Sequence, residues 1–290
     1  MNKEKPEKND SDWDLVVKPT TSVFDLNLKD IWRYKDLVML FVRRDFVASY
    51  KQTVLGPLWH FIQPVFTTIM FLIVFSKIAG IPTDGIEPIL FYMSGITIWN
   101  YFSSCLIGTS NTFLSNAGIF GKVYFPRLIS PLSTVISNVV RFGIQLLLLV
   151  LVILYFVFFK GLSFHFTFSI LFIIPLLMIM AGIGLGLGII ISALTTKYRD
   201  LNVLIGFGVQ LLMYVTPVAY PVSFLLQKKH GWLINLNPLT PLVEFFRYAI
   251  FQQGTFSAIN MTYSIGFMIV SLFVGLVIFK KVEGTFMDTV

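Results

Sequence analysis

The sequence has little charge and a single cysteine. Only 13% of its 290 residues are charged, 56% are hydrophobic, and the mean hydropathy is +0.78. This composition is typical of one polytopic membrane domain and excludes an ordinary pair of soluble domains. Because Cys105 is the sole cysteine, an intrachain disulfide bond is also excluded.

Motifs for covalent chemistry and for metal binding are missing. The three histidines, at 60, 165 and 230, are far apart in the sequence and lack metal-ligand spacing. No Gly-x-Ser-x-Gly nucleophile motif occurs. A phosphate loop ending at Lys122 fails as well, because Asn116 and Val123 replace the required glycine and hydroxyl residue. We therefore expect neither an enzyme nor a bound metal or nucleotide cofactor in this chain.

Long apolar runs dominate what is present. Six of them approach the length of a membrane span, at 57–79, 89–113, 132–159, 167–194, 202–220 and 259–279. None contains Asp or Glu, so the intramembrane carboxylates through which pumps and ion-coupled carriers relay protons are missing. The sequence thus predicts an all-α integral membrane fold of six transmembrane helices that takes its energy from elsewhere.

Basic residues indicate the orientation of these spans. With the N-terminus inside, 16 Lys and Arg flank the inner ends, five lie outside, and Arg141 falls within a span. The positive-inside rule then predicts that both termini are cytoplasmic. The first residues lack the apolar core of a signal peptide, so we expect the first span to direct insertion. Because the cations sit beside apolar spans, the net charge of +7 indicates membrane topology and not nucleic-acid binding.

Residues 28–50 predict a basic amphipathic helix ahead of the first span, after a cytoplasmic tail at 1–27. Apolar and charged side chains alternate there at helical spacing. The helix is either an anchor in the membrane interface or a docking surface for a cytoplasmic partner. Asp36 and Asp45 favour docking, because carboxylates are unfavourable on a lipid-binding face. Gly56-Pro57 ends this segment, and the membrane domain follows at 57–290.

Two connections differ from simple loops. The inner one, 114–131, carries two basic residues, two prolines and Tyr124-Phe125, which suits a short helix across the cytoplasmic face. The outer one, 221–258, has three prolines between apolar stretches that are each too short to cross a bilayer. It predicts a re-entrant hairpin between spans 5 and 6, with its broken backbone buried by protein.

Several motifs, taken in order, resemble the membrane subunits of ABC-2 type polysaccharide exporters. They are RDFVASYKQTVLGPLWHFIQP, KVYFPRLISPLS, KYRDL, YVTPVAYP and NPLTPLVEFFRYAIFQQG. The resemblance runs from about Val17 to Lys281, and as a set the motifs are highly specific. One departure is Ala48-Ser49 before Tyr50, where many relatives carry a basic residue, so this chain has no cation at those two positions.

The resemblance implies a homodimer in the bacterial inner membrane that works with two copies of a cytoplasmic ABC ATPase. The ATPase, and not this chain, would use ATP and Mg. The family exports O-antigen, capsule and teichoic-acid polymers on lipid carriers. The resemblance further implies that the 28–50 helix and the inner loop contact the ATPases. The candidate coupling residues are Asp36, Phe41, Arg44, Asn116, Lys122 and Tyr124.

Candidate substrate-path residues follow from sugar chemistry. Aromatic rings offer apolar contact to a sliding sugar chain, and an intramembrane arginine suits a phosphate group. These residues are Trp59, Trp99, Tyr101, Arg141 and Tyr214. The alternative for Arg141 is that its side chain snorkels to the inner surface, and the alternative for the rings is that they only pack within the protein. Glu244 and Arg247, one helical turn apart, are either an outer gate or an internal salt bridge. The even-numbered glycines 182–188 are expected to pack the fourth span within its own subunit.

The sequence therefore predicts a permease that exports a lipid-linked or otherwise long polysaccharide. Two alternatives stay open: an ABC-2 exporter of a small lipid or drug, and an integral-membrane glycosyl or acyl transferase.

Overall fold

The computed structural model describes residues 32–51, 56–120, 122–123, 125–162, 167–195 and 200–285. Over these ranges the chain consists of helices, turns and connections without a strand, which confirms the all-α prediction. The α-helices are α1 Lys35–Tyr50, α2 Trp59–Phe71, α3 Pro88–Ser110, α4 Thr112–Phe120, α5 Ile129–Lys160, α6 Ile173–Thr195, α7 Leu201–Val215, α8 Val222–Leu226, α9 Thr240–Phe251 and α10 Ala258–Thr285. The predicted tail at 1–27 and the first turn of the predicted interface helix lie outside the described residues.

Four helical segments are long and apolar enough to cross a membrane. They are Trp59–Ile78, Ile129–Lys160, Phe168–Thr195 and Ala258–Lys281. The runs predicted at 89–113 and 202–220 coincide with α3 and α7. Helix α7 has only 15 residues, and α3 is more polar than the four and has most of its 23 residues buried. Helix α3 is thus the central helix of the bundle, and its inward-facing polar residues are shielded by its neighbours.

Glycines on two faces of α6 allow it to pack closely against two neighbours. Residues two apart on a helix point in nearly opposite directions. Gly182 and Gly186 accordingly face α10, and Gly184 and Gly188 face α3. The series packs α6 within its own subunit, as expected from the sequence, and it holds α3, α6 and α10 together.

The two ends of α3 define the two ends of the molecule. Helix α4 follows at the C-terminal end of α3, and helix α1 packs against α5 at the same end. We call this the α1 end. At the N-terminal half of α3, helix α9 packs against it through Arg247, which lies over the ring of Phe91. The segment 221–257, named the hairpin, contains α8, a 3-10 helix at Gly231–Leu236 and α9. We call this second end the hairpin end.

Helix α2 is irregular in two places. Gly56, at a φ of +50°, opens the turn Gly56–Leu58 that precedes it, as the Gly-Pro pair predicts. Pro64 lies inside the helix and removes one of its backbone hydrogen bonds. The helix continues at Leu72–Ile78 as a π-helical stretch, in which the turns are wider than in an α-helix.

Candidate functional site

Polar side chains from three helices line a cavity of about 230 Å³ within the apolar bundle. Helices α2, α3 and α5 contribute its lining residues, which are His60, Gln63, Asn100, Tyr101, Ser103, Ser104, Asn138, Arg141, Phe142 and Gln145. Most of these residues are polar although they lie in membrane-length helices. Polar groups at such a depth are costly in contact with lipid, and they commonly mark the path of a transported molecule.

A second cavity, of about 460 Å³, continues the first towards the α1 end. Its lining residues are Arg44, Asp45, Ala48, Gly108, Asn111, Ser115, Asn116, Thr134, Ser137, Asn138 and Arg141. Asn138 and Arg141 line both cavities, so the two adjoin at these residues, and we call them together the polar cleft. Along α5 it extends from Thr134 to Gln145, about three helical turns.

Arg141 is the cation at the centre of the polar cleft. Its Nη1 donates to Asn138 Oδ1 at 3.2 Å, and its buried Nε has no hydrogen-bond partner among the described residues. Asp45, the carboxylate in the cleft lining, is paired with Arg44 at 2.8 Å. The lining therefore has two guanidinium groups for one carboxylate, and this positive excess suits a ligand with hydroxyl and anionic groups.

The wall of the polar cleft between α3 and α5 is fixed by direct contacts. Asn100 Nδ2 donates to Gln145 Oε1 at 3.2 Å. Next to Asn100, the ring of Tyr101 packs on the ring of Phe142, with their centroids 5.4 Å apart. The amide groups of this wall and the Ser103 and Ser104 hydroxyls beside them can form hydrogen bonds with the hydroxyls of a sugar, whereas the rings of Tyr101 and Phe142 are buried against each other.

Tyr101 and Arg141 are the predicted substrate-path residues that line the polar cleft. The ring of Tyr101, however, is only 3% exposed and packs on Phe142, so Arg141 is the one that remains accessible to a cargo. The ring of Trp99 is 4% exposed in the hydrophobic core, against Phe102, which leaves no face for a sugar chain. Trp59 and Tyr214 are about half-exposed and line neither cavity of the polar cleft. Trp99 is therefore placed as a packing residue.

The predicted coupling residues fall into two groups at the α1 end. Asp36 and Lys122 are exposed, so a partner could reach them. Phe41 is buried, with its ring 5.6 Å from that of Phe125 and the Arg44 guanidinium 4.4 Å from its centroid. Because its ring contacts the chain itself, Phe41 holds α1 in place and does not present a surface to a partner. Tyr124 lies outside the described residues.

Asn116 joins three helices at this end. Its Oδ1 accepts from Arg44 Nη2 of α1 at 3.2 Å, and its Nδ2 donates to Ser130 Oγ of α5 at 2.8 Å and to the Thr112 carbonyl of α4 at 3.0 Å. The predicted short helix across the inner face corresponds to α4. Asn116 thus connects α1 to α4 and α5, the second of which carries Arg141.

Glu244 and Arg247 form a buried ion pair at 3.2 Å in the hairpin. Arg247 also donates to the carbonyls of Pro217 and Val218, at 2.6 and 2.7 Å, where the chain leaves α7. Burial lowers the pKa of Arg247 to about 10, which leaves it a cation at neutral pH, and burial raises the pKa of Glu244. This geometry matches the internal salt bridge, the second of the two interpretations given above.

Sequence reasoning missed most of the polar cleft lining, including Gln63, Asn100, Asn138 and Gln145. His60, noted in the sequence only for its lack of metal-ligand spacing, lines the same cavity as Arg141. A signal was present on α5, where Thr134, Asn138, Arg141 and Gln145 recur at helical spacing within an apolar run. Among the described residues no three His, Cys, Asp or Glu side chains lie close enough to hold a metal.

Comparison with known proteins agrees with this architecture. Residues 36–251 match the family model of the ABC-2 type transporter. Two O-antigen export system permease proteins RfbA from Klebsiella pneumoniae are each 30% identical over 255 residues, which is 87% of this chain and 94% of theirs. A protein of the same name from Myxococcus xanthus is 23% identical over 228 residues, 78% of this chain and 84% of its own. The chain therefore belongs to the ABC-2 type transporter family of membrane proteins.

Proposed function

We propose that this chain is the transmembrane subunit of an ATP-driven exporter that moves a lipid-linked polysaccharide across the bacterial inner membrane. The observation that carries the proposal is the polar cleft, a hydroxyl-compatible and positively charged space inside an apolar bundle. The Klebsiella relatives, which this chain matches over 94% of their length, are named as O-antigen export permeases, and this supports the same cargo class.

In this proposal six helices cross the membrane and both termini are cytoplasmic. Helices α3 and α7 join the four long apolar segments, and the hairpin enters the outer leaflet and returns without crossing. The excess of basic residues at inner ends supports this orientation. The buried contacts of Arg247 support the re-entrant hairpin, because they satisfy backbone carbonyls where α7 breaks.

The working unit proposed here is a homodimer. Asn100, Ser103 and Arg141 are only half-buried in the single chain although they lie at membrane depth. Contact of these groups with lipid would be costly, and a second copy placed against the same face would cover them. The polar clefts of two copies would then enclose a conduit.

Energy would come from a pair of cytoplasmic ABC ATPases bound at the α1 end, with ATP and Mg held by those partners. ATPase closure would press on the exposed side of α1 and on the loop near Lys122. The hydrogen bonds of Asn116 would pass this motion to α5 and so to Arg141.

The proposed docking surface predicts opposite behaviour for two residues of α1. Asp36→Lys is expected to reduce copurification of the ATPase about tenfold, because it reverses an exposed charge, and to leave the unfolding temperature unchanged. Phe41→Ala is expected to lower the unfolding temperature, because it removes a buried ring. Glu87→Lys, an exposed reversal at the hairpin end, is the control for Asp36. If Asp36→Lys binds the ATPase as well as the wild type does, α1 is an anchor and not a docking surface.

Arg141 is the residue proposed to contact the anionic group of the cargo. Arg141→Lys is expected to reduce surface polymer about tenfold with normal folding and ATPase activity, since lysine cannot reproduce the planar fork of donors. Lys160→Gln, which removes an exposed cation from the other end of α5, should leave export unchanged. Full export by Arg141→Lys would mean that Arg141 snorkels to the inner surface and does not contact cargo.

Deletion of the gene tests the function itself. The expected result is that polymer accumulates inside the cell and disappears from its surface, and that the wild-type gene restores it. A cell that makes no polymer at all would favour the glycosyl or acyl transferase. Normal surface polymer, together with accumulation of a small amphiphile, would favour the exporter of a lipid or drug.

A further inference from the structure

A separate cavity of about 440 Å³ lies at the hairpin end, away from the polar cleft. It is formed where α7 ends and the first half of the hairpin folds back. Its lining residues are Val215, Tyr220, Leu225, Lys228, Lys229, His230, Gly231, Leu233 and Ile234. None of them lines the polar cleft, so the proposed transport path makes no use of this cavity.

The polar side of this cavity is basic. Lys228, Lys229 and His230 are consecutive, and no carboxylate is found among the described residues that line it. Of the described carboxylates near this cavity, Asp84 accepts hydrogen bonds from Ser223 at 2.7 and 2.8 Å, and Glu244 on α9 is paired with Arg247. The cavity therefore has positive charge without a local counter-ion in its lining.

A tight turn fixes the three basic residues in place. The Lys228 amide donates to the Leu225 carbonyl at 2.8 Å, and the Gly231 amide donates to the Lys228 carbonyl at 2.9 Å. Gly231 is required here, because a side chain at this position would collide with the backbone of Leu225 and Leu226. The Lys228 ammonium in turn lies 5.3 Å from the ring centroid of Phe224. The basic residues are thus carried on a hydrogen-bonded turn.

The other side of the cavity is apolar and continues onto the surface. Val215, Leu225, Leu233 and Ile234 line it. Beside them Leu226, Trp232 and Leu236 are about half-exposed, and this set of large apolar side chains would face lipid at the rim of the bilayer. Trp with Lys at such a depth is typical of the boundary between headgroups and acyl chains.

We propose that this cavity binds the phosphate of an anionic glycerophospholipid, with Lys228, Lys229 and His230 around the headgroup. The acyl chains would run along the exposed apolar residues of the hairpin. Cavities of this size hold ligands of small-molecule size, which suffices for a phosphate and its glycerol. A sugar is the poorer match, because the lining has no amide or carboxylate side chain to accept from its hydroxyls, and the Tyr220 hydroxyl already donates to the Tyr214 carbonyl at 2.7 Å.

The test is lipid retention by the purified full-length chain, measured by native mass spectrometry after incubation with phosphatidylglycerol or with phosphatidylcholine of the same acyl chains. Phosphatidylglycerol is expected to be retained several-fold more than phosphatidylcholine. Replacing Lys228 and Lys229 by Gln should reduce its retention about fivefold for each lysine, whereas replacement of both by Arg should preserve it. Lys160→Gln, at the same end but outside the cavity, is the matched control.

Four results would overturn the proposal. Equal retention of the two lipids, or full retention by the Lys228→Gln, Lys229→Gln chain, would remove the role of the basic residues. Displacement of the lipid by inorganic phosphate alone would indicate an anion site without lipid selectivity. Displacement by an equal amount of polyprenyl phosphate would assign the cavity to the cargo carrier instead. Thermal unfolding of each variant ensures that retention is compared between folded proteins.

Discussion

Arg247→Met is expected to lower the free energy of unfolding by about 3–5 kcal/mol, because it leaves Glu244 as a buried carboxylate without its partner. The same change removes the donors to the Pro217 and Val218 carbonyls and the guanidinium that lies 3.7 Å from the Phe91 ring centroid. Gly95 makes room for this guanidinium, because a side-chain carbon at position 95 would collide with it. The measurement is equilibrium unfolding of the purified chain in detergent.

A double variant separates the ion pair from the carbonyl contacts. Arg247→Met with Glu244→Leu should recover part of the loss, since no unpaired charge remains, but not all of it, since the two carbonyls still lack donors. Lys160→Met, an exposed cation at the same end, should change the free energy of unfolding by less than about 0.5 kcal/mol. An Arg247→Met chain as stable as the wild type would contradict the structural role and favour the gate.

Gly186→Leu is the second change with a large expected effect. A first side-chain carbon at this position would lie 2.6 Å from the Ser271 carbonyl carbon and 2.7 Å from the Leu272 nitrogen, which are backbone atoms of α10. Backbone atoms cannot rotate away, so α6 and α10 would have to separate. We expect a loss of about 3 kcal/mol or more, seen as a low yield of folded protein and early thermal unfolding.

Gly206→Leu on α7 is the matched control, because no atom lies within 4 Å of the added carbon. Normal yield of Gly186→Leu alongside Gly206→Leu would contradict the close contact of α6 with α10. Gly188→Leu tests the other glycine face of α6, because its side chain would collide with Thr109 of α3 instead.

The positions of the helices could be predicted from the sequence because apolar runs and proline breaks are local properties. The apolar runs at 57–79 and 259–279 coincide closely with helical segments for this reason. Which helix faces meet is not local. Asn100 and Gln145 are 45 residues apart, so their hydrogen bond depends on the rotation of α3 and α5 about their axes. The polar cleft could therefore not be predicted from any single run.

Two individual residues show the same limit. The pattern of α1 identifies Phe41 as part of an apolar face, but the pattern is the same whether that face covers lipid, a partner or the chain's own Phe125. Trp99 was assigned to the substrate path as an aromatic ring, and it lies deep within the second apolar run, 89–113. Depth alone does not distinguish a ring that faces a conduit from a ring in the core. The burial of Trp99 and its contact with Phe102 place it in the core.

The glycine faces of α6 also determine where the molecule can bend. Backbones in direct contact have no flexible side chains between them to absorb a change of angle, so α3, α6 and α10 behave as one body with few internal degrees of freedom. Helix α2 is the opposite case, because it is interrupted at Pro64, ends in the π-helical stretch Leu72–Ile78 and buries few of its side chains. Among the described helices we therefore expect bending at α2, the wall of the polar cleft that carries His60 and Gln63, while α3 supplies its fixed frame.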